Sequence, residues 1–222
     1  MPLLAYCLSE LVSVNPPQAG VGGLRVEALE QEGVRCFYSQ SSTRDQILGL
    51  PARQTALAFH DVVHQIFRQI AVIPFRFPTM LEEMAEVGRH LEERGSAYRQ
   101  DLARLRNLVQ MEIYLSLADS ADTHLLTQPK MPGKGGGTQY LQARQSENRR
   151  LSDSAAIFQQ AACMLNRGWK DRASGRGQRC FILVERNAVS EFKTVVLQVR
   201  VPSGIAARIS GPWPASEFVT QP

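Results

Sequence analysis

Apolar and polar positions alternate along parts of the chain with the two-residue period of a half-buried strand. The clearest case is the stretch 109–117, in which Val109, Met111, Ile113 and the apolar residues after them are separated by polar ones. Shorter apolar runs predict further strands over residues 3–9, 24–29, 34–39, 180–184 and 206–210. The run 72–77 contains Pro74, which lacks a backbone N–H, so we expect an edge strand or an extended crossing there.

Elsewhere the apolar residues recur every three or four positions, as they do on one face of a helix. Pro51 opens the first such stretch, and a second runs from a capping box over residues 79–82 to about Arg106. Gly88 and Gly95 each weaken that second helix by roughly 1 kcal/mol, so we expect close packing around them. A third helix is predicted over residues 138–169, and a fourth follows Asn187 as its cap.

These elements predict an α+β protein with two domains. The first covers residues 1–78, a long connecting helix covers 79–106, and the second domain covers 107–222. In the second domain strands alternate with helices, which favours an open antiparallel sheet with helices on one face. The polar loop 118–137 and the basic connector 171–178 are predicted to be flexible.

The composition is typical of a packed globular protein. Of 222 residues, 44% are hydrophobic and 21% are charged, which excludes a disordered chain, a collagen and a coiled-coil rod. The longest apolar run, residues 70–75, is far shorter than the roughly 20 residues of a membrane-spanning helix. The first residues lack the positive charge of a secretory signal, so we expect a cytoplasmic protein without a membrane partner. All four cysteines are expected to be reduced and buried.

Few residues form a pattern that is typical of catalysis. His60 and His64 stand four positions apart, as in the zinc-protease helix, but Asp61 replaces the glutamate base and no third-ligand motif follows. Lys134, in a glycine-rich run, lacks the Ser or Thr that follows the lysine of a phosphate loop. We therefore predict no metal, no cofactor and no enzyme activity. A metal-dependent hydrolase built on His60 and His64 is kept as an alternative.

Positive charge supports a second alternative, a nucleic-acid-binding module. The chain has 25 Lys and Arg against 21 Asp and Glu, a net charge of +4. A basic cluster that could follow a phosphate backbone consists of Arg144, Arg149, Arg150, Arg167, Lys170, Arg172, Arg176 and Arg179. Single-strand binders stack bases on exposed aromatic residues, and this cluster has none between its arginines. Nucleic acid is therefore not the expected partner.

Four segments, in this order, resemble the gas vesicle proteins GvpF and GvpL. Residues 59–63 (FHDVV) and 72–77 (VIPFRF) are similar to the family's H-E-x-V … V-L-P-x-R-F-G stretch. Residues 105–117 resemble its L-L-x-R-L-x-G-x-V-E-x-x-V-x-V stretch, and 137–144 (GTQYLQAR) its G-x-x-Y-L-x-x-R helix start. The most specific segment, 209–219 (ISGPWPASEFV), resembles the terminal T-G-P-W-P-P-Y-S-F-V. The chain departs from these patterns at Asp61, Pro78, Ala215 and Glu217.

The resemblance implies two domains, of which the C-terminal one is ferredoxin-like, although the elements above are one strand short of the order β-α-β-β-α-β. It also implies a non-catalytic minor gas vesicle protein, located at the gas vesicle or in the cytoplasm. Such a protein is expected to help nucleate or assemble the vesicle shell. The implied partners are the small hydrophobic shell subunit, GvpA, and other gas vesicle accessory proteins.

A protein that binds such a subunit needs an apolar surface with a polar rim. The candidate contact residues are Phe75, Arg76, Phe77 and Met80 near the crossing between the domains, and Trp213 and Phe218 near the C-terminus. Arg76 could pair with a partner carboxylate, and plain core packing is the alternative for the apolar residues. The turn motif Gly211, Pro212, Trp213 and Pro214 is expected to pin the C-terminal segment to the rest of the protein through the tryptophan.

Overall fold

The structure of the protein is a computed structural model that describes residues 1–118, 136–175 and 177–220. Side chains are described for all of these except residues 136–140. Most of the loop predicted over 118–137, including Lys134, lies outside the described residues, and so does Arg176 of the basic cluster.

Eight strands and five helices make up the regular structure of the described residues. The strands are β1 (Leu3–Glu10), β2 (Glu27–Gln31), β3 (Val34–Gln40), β4 (Val72–Leu81), β5 (Leu108–Leu117), β6 (Gly168–Ser174), β7 (Gly177–Glu185) and β8 (Ile205–Trp213). The helices are α1 (Asp45–Leu48), α2 (Ala52–Phe67), α3 (Met84–Leu105), α4 (Gly136–Ala161) and α5 (Val189–Leu197). The predicted α+β class is confirmed. None of the described helices is long and apolar enough to span a membrane.

The first sheet has the strand order β2-β3-β1-β4, and each pair of neighbours is antiparallel. On one face, apolar residues of β1 such as Leu3 and Leu8 form a single buried cluster with apolar residues of α3 such as Leu91. On the other face, the ring centre of Tyr6 lies 5.3 Å from that of Phe59 on α2. The sheet is therefore covered by one helix on each side.

The turn between β2 and β3 fits against the glycines of α3. Glu32 (φ 52°) and Gly33 (φ 73°) form a two-residue hairpin turn in the left-handed region. A Cβ atom on Gly95 would lie 2.6 Å from the Cβ of Glu32, and one on Gly88 would lie 3.2 Å from the side-chain oxygen of Gln31. The predicted close packing is confirmed, and it explains why a helix contains two residues that weaken it.

The second sheet has the strand order β6-β7-β5-β8, and its elements follow one another as β5, α4, β6, β7, α5 and β8. One buried cluster joins apolar residues of β5 and β7 with Phe158 of α4 and Phe192 of α5. Both helices therefore cover the same face. The sheet has one strand more than the sequence predicts for this region, namely β6.

The prediction of a flexible connector over residues 171–178 is wrong for the residues described there. Apart from Gly175, which lies in the turn, they belong to the antiparallel strands β6 and β7, with Arg172 opposite Arg179 and Ala173 opposite Gln178. β6 is the edge strand of its sheet, and most of its side chains are exposed. An exposed edge strand has no alternation of apolar and polar residues, so periodicity does not reveal it.

The chain divides into two compact units. Unit 1 consists of Met1–Val109 together with Trp213–Pro222, and unit 2 consists of Gln110–Pro212. The helix expected to connect two domains, α3, lies in unit 1, where its apolar stripe packs on the first sheet. This division differs from the predicted boundaries at residues 78 and 106, because α3 and the last residues of the chain both complete the core of unit 1.

The helix α3 begins later than the sequence predicts. Thr79, the expected cap, lies in β4, and its hydroxyl donates a hydrogen bond to the carbonyl oxygen of Arg76 at 2.6 Å. The helix begins at Met84, where the backbone N–H of Glu82 donates to a carboxylate oxygen of Glu86 at 2.9 Å. The predicted capping box is therefore wrong, because strand pairing takes up its first residues.

Helix α4 ends earlier than the sequence predicts. It ends at Ala161, and Trp169, the last residue of the predicted helix, lies in β6 and packs against the cluster of unit 2. Leu141, an apolar residue near the start of the helix, is 60% exposed. Cys163 is exposed, which corrects the expectation that all four cysteines are buried, and the other three are buried thiols. Asn187 lies in a 3-10 turn and is not the N-cap of α5.

We expect Gly95→Ala to destabilise the protein by about 1–3 kcal/mol, because the added methyl group has to displace the turn at Glu32. An unpacked glycine would behave in the opposite way, since alanine there would stabilise the helix by about 1 kcal/mol. Urea unfolding followed by circular dichroism measures the difference. The control is Ser96→Ala on the exposed side of α3, which should change stability by less than about 0.5 kcal/mol.

Candidate functional site

A bulge in β4 sets the geometry of the candidate contact residues. Ala5 of β1 pairs with Thr79, whereas Cys7, only two residues further along β1, pairs with Pro74. β4 therefore contains extra residues between these two pairs, and its regular alternation of faces is broken. The bulge includes Phe75, Arg76 and Phe77, three of the four candidate contact residues of β4.

The bulge directs two phenylalanines towards different helices. The ring centre of Phe75 lies 6.1 Å from that of His90 on α3. The ring centre of Phe77 lies 5.3 Å from that of Phe59 on α2. In a regular strand two residues at this spacing would share a face. The structure therefore does not bring Phe75 and Phe77 together on one surface.

The other two candidates on β4 differ in exposure. The side chain of Arg76 is exposed, between the two phenylalanines. Met80 is half-buried and pairs with Leu4 in the ladder of β1 and β4. Of the four candidates, Arg76 is therefore exposed, whereas Phe75, Phe77 and Met80 are all half-buried.

A cleft of about 400 Å³ opens between β4 and the first half of α3. Its lining consists of Phe75, Thr79 and Leu81 of β4 with Glu86, Val87, Arg89, His90 and Glu93 of α3. Pockets that bind ligands usually measure about 300–1,000 Å³ and are mostly apolar with a few polar groups. This cleft fits that description, since its apolar side chains are accompanied by charged groups on one helix.

His90 contributes an uncharged ring to the cleft. Its Nε2 lies 2.9 Å from the hydroxyl of Tyr98, whose ring lies 5.1 Å from the guanidinium carbon of Arg94. Burial, and after it the charge of Arg94, lower the pKa of His90, and these effects outweigh the opposite influence of Glu93. The ring is therefore neutral at pH 7 and adds to the apolar surface beside Phe75.

The glycine of the Gly-Pro-Trp-Pro turn is required by a close approach of two strands. Gly211 has φ 111°, and a Cβ atom there would lie 2.9 Å from the carbonyl oxygen of Gln110. Pro212 follows in β8, an edge strand, where a missing N–H is tolerated. The ring centre of Trp213 then lies 5.7 Å from that of His60 on α2, in an edge-to-face arrangement.

A buried carboxylate on α3 holds the segment that follows Trp213. Asp101, only 3% exposed, accepts hydrogen bonds from the backbone N–H of Thr220 at 2.8 Å and from its hydroxyl at 3.0 Å. Arg104 donates to Asp101 at 2.6 Å and to the carbonyl oxygen of Phe218 at 2.5 Å. Phe218 is itself buried, so it belongs to the core of unit 1.

Asp101 is the residue of this site that the sequence analysis missed. It stands three positions after Tyr98 and four before Leu105, and both of these are buried on α3. A carboxylate at that spacing falls on the apolar stripe of the helix. A buried charge has to be paired, so its position could have indicated a partner elsewhere in the chain.

The sequence matches the family model described as gas vesicle synthesis protein GvpL/GvpF over residues 2–220. The chain belongs to the GvpL/GvpF family. No curated protein matches it. The Gly-Pro-Trp-Pro turn and the bulged strand, which carry the resemblance in the sequence, are therefore parts of a GvpL/GvpF chain.

Two crystal structures have the fold of this GvpL/GvpF chain. The gas vesicle protein GvpF from Anabaena sp. PCC7120 has a TM-score of 0.80 at 12% identity, covering 100% of this chain and 97% of that one. GvpF from Microcystis aeruginosa has a TM-score of 0.77 at 11% identity, covering 99% of each chain. At such low identities the likeness shows a shared fold.

The two histidines of α2 lack a third ligand among the residues that the structure describes in this GvpL/GvpF chain. Across those residues no three His, Cys, Asp or Glu side chains are grouped as a metal site would need. The rings of His60 and His64 stack at 5.8 Å, and Trp213 contacts His60. Nδ1 of His64 is buried without a hydrogen-bond partner. The pair therefore forms part of an aromatic row along α2.

Several arginines of the basic cluster are already paired within unit 2. Their partners are carbonyl or carboxylate oxygens: Arg144 with Gly175 at 2.8 Å, Arg150 with Ser203 at 3.0 Å, Arg167 with Glu185 at 2.8 Å and Arg179 with Glu112 at 3.4 Å. The guanidinium of Arg172 lies 5.0 Å from the ring centre of Phe181. These contacts occupy donors that a phosphate backbone would otherwise use.

We expect Asp101→Asn to destabilise the protein at pH 7 by about 1–3 kcal/mol, because donors around a buried oxygen lose their partner. Burial alone would raise the pKa of Asp101, but hydrogen bonds from Arg104 and Thr220 lower it on balance. The stabilisation is therefore complete above the unfolded pKa of about 3.9 and is lost as the pH falls through the lower folded pKa.

The measurement is urea unfolding of wild type and variant over a series of pH values, together with hydrogen exchange at the amide of Thr220. The two proteins should differ at neutral pH and converge in acid. Asp61→Asn, an exposed aspartate of α2, is the control and should have little effect at any pH. A difference that stays constant down to acid pH would show that the charge of Asp101 is irrelevant.

We expect chelation of divalent metal to leave the melting temperature unchanged. A metal held by the folded protein would stabilise it by mass action, and its removal would lower the melting temperature. Thermal unfolding with chelator and with added zinc tests this. A melting temperature that rises when zinc is added, and no longer rises in His60→Ala, would instead support the metal-dependent alternative.

Proposed function

We propose that this GvpL/GvpF protein is an accessory factor of gas vesicle assembly that binds the small hydrophobic shell subunit and other accessory proteins. It works without a cofactor and without catalysis, at the gas vesicle or in the cytoplasm around it. The observation that carries the proposal is the family match over residues 2–220, which includes both units. The family's description as gas vesicle synthesis proteins supports a role in making the vesicle.

We further propose that unit 2 is a ferredoxin-like domain. The order of its elements, β-α-β-β-α-β, supports this assignment, and so does the strand order β6-β7-β5-β8. Both helices pack on one face of the sheet. β6 is the strand of this fold that the sequence pattern does not predict.

The surface proposed for the shell subunit is the cleft between β4 and α3, with Phe75 as its central aromatic residue. An assembly factor has to hold an apolar partner without exposing a large apolar patch of its own. A cleft with apolar walls and charged groups at its edge meets both requirements. Arg76, exposed beside Phe75, would pair with a carboxylate of the partner. Met80, half-buried and paired with Leu4, would hold this part of β4 on β1.

The remaining candidates are proposed to stabilise unit 1 rather than to contact the partner. Phe77 packs on α2, and Phe218 is buried in unit 1, where its carbonyl oxygen accepts a hydrogen bond from Arg104. Trp213 contacts His60, and Gly211 with Pro212 leads the chain to it. Substitutions at these positions would reduce partner binding only as far as they reduce folding.

We expect the tagged protein to capture the shell subunit in about 0.1 M salt and to retain it in about 1 M salt, because apolar contacts are not screened. Phe75→Ala should weaken capture about tenfold, the effect of losing a central aromatic contact. Quantified co-purification from cells that express both proteins measures this. Leu57→Ala is the control, since Leu57 is a large exposed residue on α2.

Trp213→Ala should lower the melting temperature but leave capture by the folded fraction unchanged. Loss of capture in Leu57→Ala as strongly as in Phe75→Ala would argue against the cleft. If no shell subunit is captured in either salt and nucleic acid co-purifies instead, the arginine-rich binder replaces this proposal.

A further inference from the structure

We propose that the cleft between β4 and α3 binds a single amphipathic helix, with apolar residues inserted beside Phe75 and basic residues facing α3. The partner is thus a polypeptide helix and not an added β-strand. This inference deepens the proposed function and rests on it where the helix is taken to belong to the shell subunit. The kind of segment that fits the cleft depends only on the shape and the charges of the cleft itself.

The edge of β4 is poorly suited to an added strand along the cleft. A partner strand needs a row of free N–H and C=O groups on the edge that it joins. β4 is the edge strand of its sheet, but Pro74 and Pro78 lack an N–H, and the ladder is interrupted between Thr79 and Pro74 by the bulge. Recognition at this place therefore depends on side chains rather than on main-chain pairing.

The apolar part of the cleft suits the side chains that one helix face presents. Phe75 and Leu81 lie on one wall and Val87 on the other, and the neutral ring of His90 continues the apolar surface. A helix inserts residues at positions i, i+3 or i+4 and i+7 into a groove of this kind. At about 400 Å³ the cleft has room for several such side chains.

The charges on α3 define which helix fits. Glu86, Arg89 and Glu93 line the cleft at intervals of three and four residues, so they follow one another along one side of α3. Glu86 and Glu93 are seven residues apart, about 10 Å along the helix axis. On the α3 side of the cleft two carboxylates are present against one guanidinium, so this side favours basic residues of the partner, whereas the exposed Arg76 on the β4 side favours a carboxylate.

One of these carboxylates is already oriented by the protein. A side-chain oxygen of Glu86 accepts a hydrogen bond from the backbone N–H of Glu82 at 2.9 Å, which restricts its rotamers before a partner binds. Glu93 is exposed and can adjust. A partner helix lying alongside α3 would meet both carboxylates with two lysines or arginines about two turns apart.

The probe is a synthetic helical peptide of about 18 residues, long enough to be helical in part, with a leucine face and two lysines seven positions apart. Fluorescence anisotropy with the full chain measures its affinity. We expect Phe75→Ala to weaken binding about tenfold and Glu93→Lys to weaken it about threefold to tenfold in low salt, with a smaller effect in high salt.

Glu92→Lys is the matched control, because Glu92 is the adjacent residue of α3, bonds to Gln31 and does not line the cleft. The affinity of the Glu92→Lys variant for the peptide should equal that of the wild type. Thermal unfolding of each variant checks folding, and Glu93→Lys on the exposed surface keeps the test decisive should Phe75→Ala fail to fold. A peptide with a central proline and one with glutamates in place of the lysines should both lose most of the binding.

The inference is overturned if the wild type does not bind the peptide, if the proline peptide binds equally well, or if Phe75→Ala and Glu93→Lys leave the affinity unchanged. Shell-subunit capture without peptide binding would reject the helix and leave the proposed function standing. Peptide binding with the expected variant effects, but no capture of the shell subunit, would support the helix site and reject the proposed function.

Discussion

The burial of β1 is the constraint on which unit 1 depends. All six residues from Leu3 to Leu8 are 0% exposed, so neither face nor edge of this strand meets water. A strand of this kind needs a neighbour on each side and a covering layer on each face, and it obtains them from β3, β4, α2 and α3. The position of α3 therefore follows from β1, and α3 in turn supplies one wall of the cleft and the carboxylate that holds the C-terminal segment.

Elements with a strong local period could be predicted from the sequence. The alternation that predicts β5 and the stripe that predicts α2 both reflect burial on one side, which is repeated residue by residue. The glycines of α3 were also informative, because a helix that contains Gly88 and Gly95 needs a close neighbour to offset their cost. The identity of that neighbour, the β2–β3 turn, depends on contacts across some sixty residues and could not be predicted from local pattern.

The parts that differ from the sequence prediction are stabilised by partners distant in the chain. β6 is a strand because β7 pairs with it, although most of its own side chains are exposed. Thr79 could cap a helix, but pairing with Ala5 keeps it in β4. The bulge beside this pairing also separates Phe75 from Phe77, which would share a face in a regular strand. Asp101 had a visible signal, a carboxylate on an apolar stripe, while its partner Thr220 stands more than a hundred residues away.

The division of the chain has a consequence for the order in which the protein can form. Unit 1 is interrupted after Val109 and resumes at Trp213, so a ribosome has to translate all of unit 2 before the residues that close unit 1 exist. Until then the carboxylate of Asp101 lacks the amide and hydroxyl of Thr220, and the surface that Phe218 covers is open. Unit 1 of the nascent chain is therefore incomplete while unit 2 is being synthesised. During that time other proteins in the cell can bind the exposed part of unit 1.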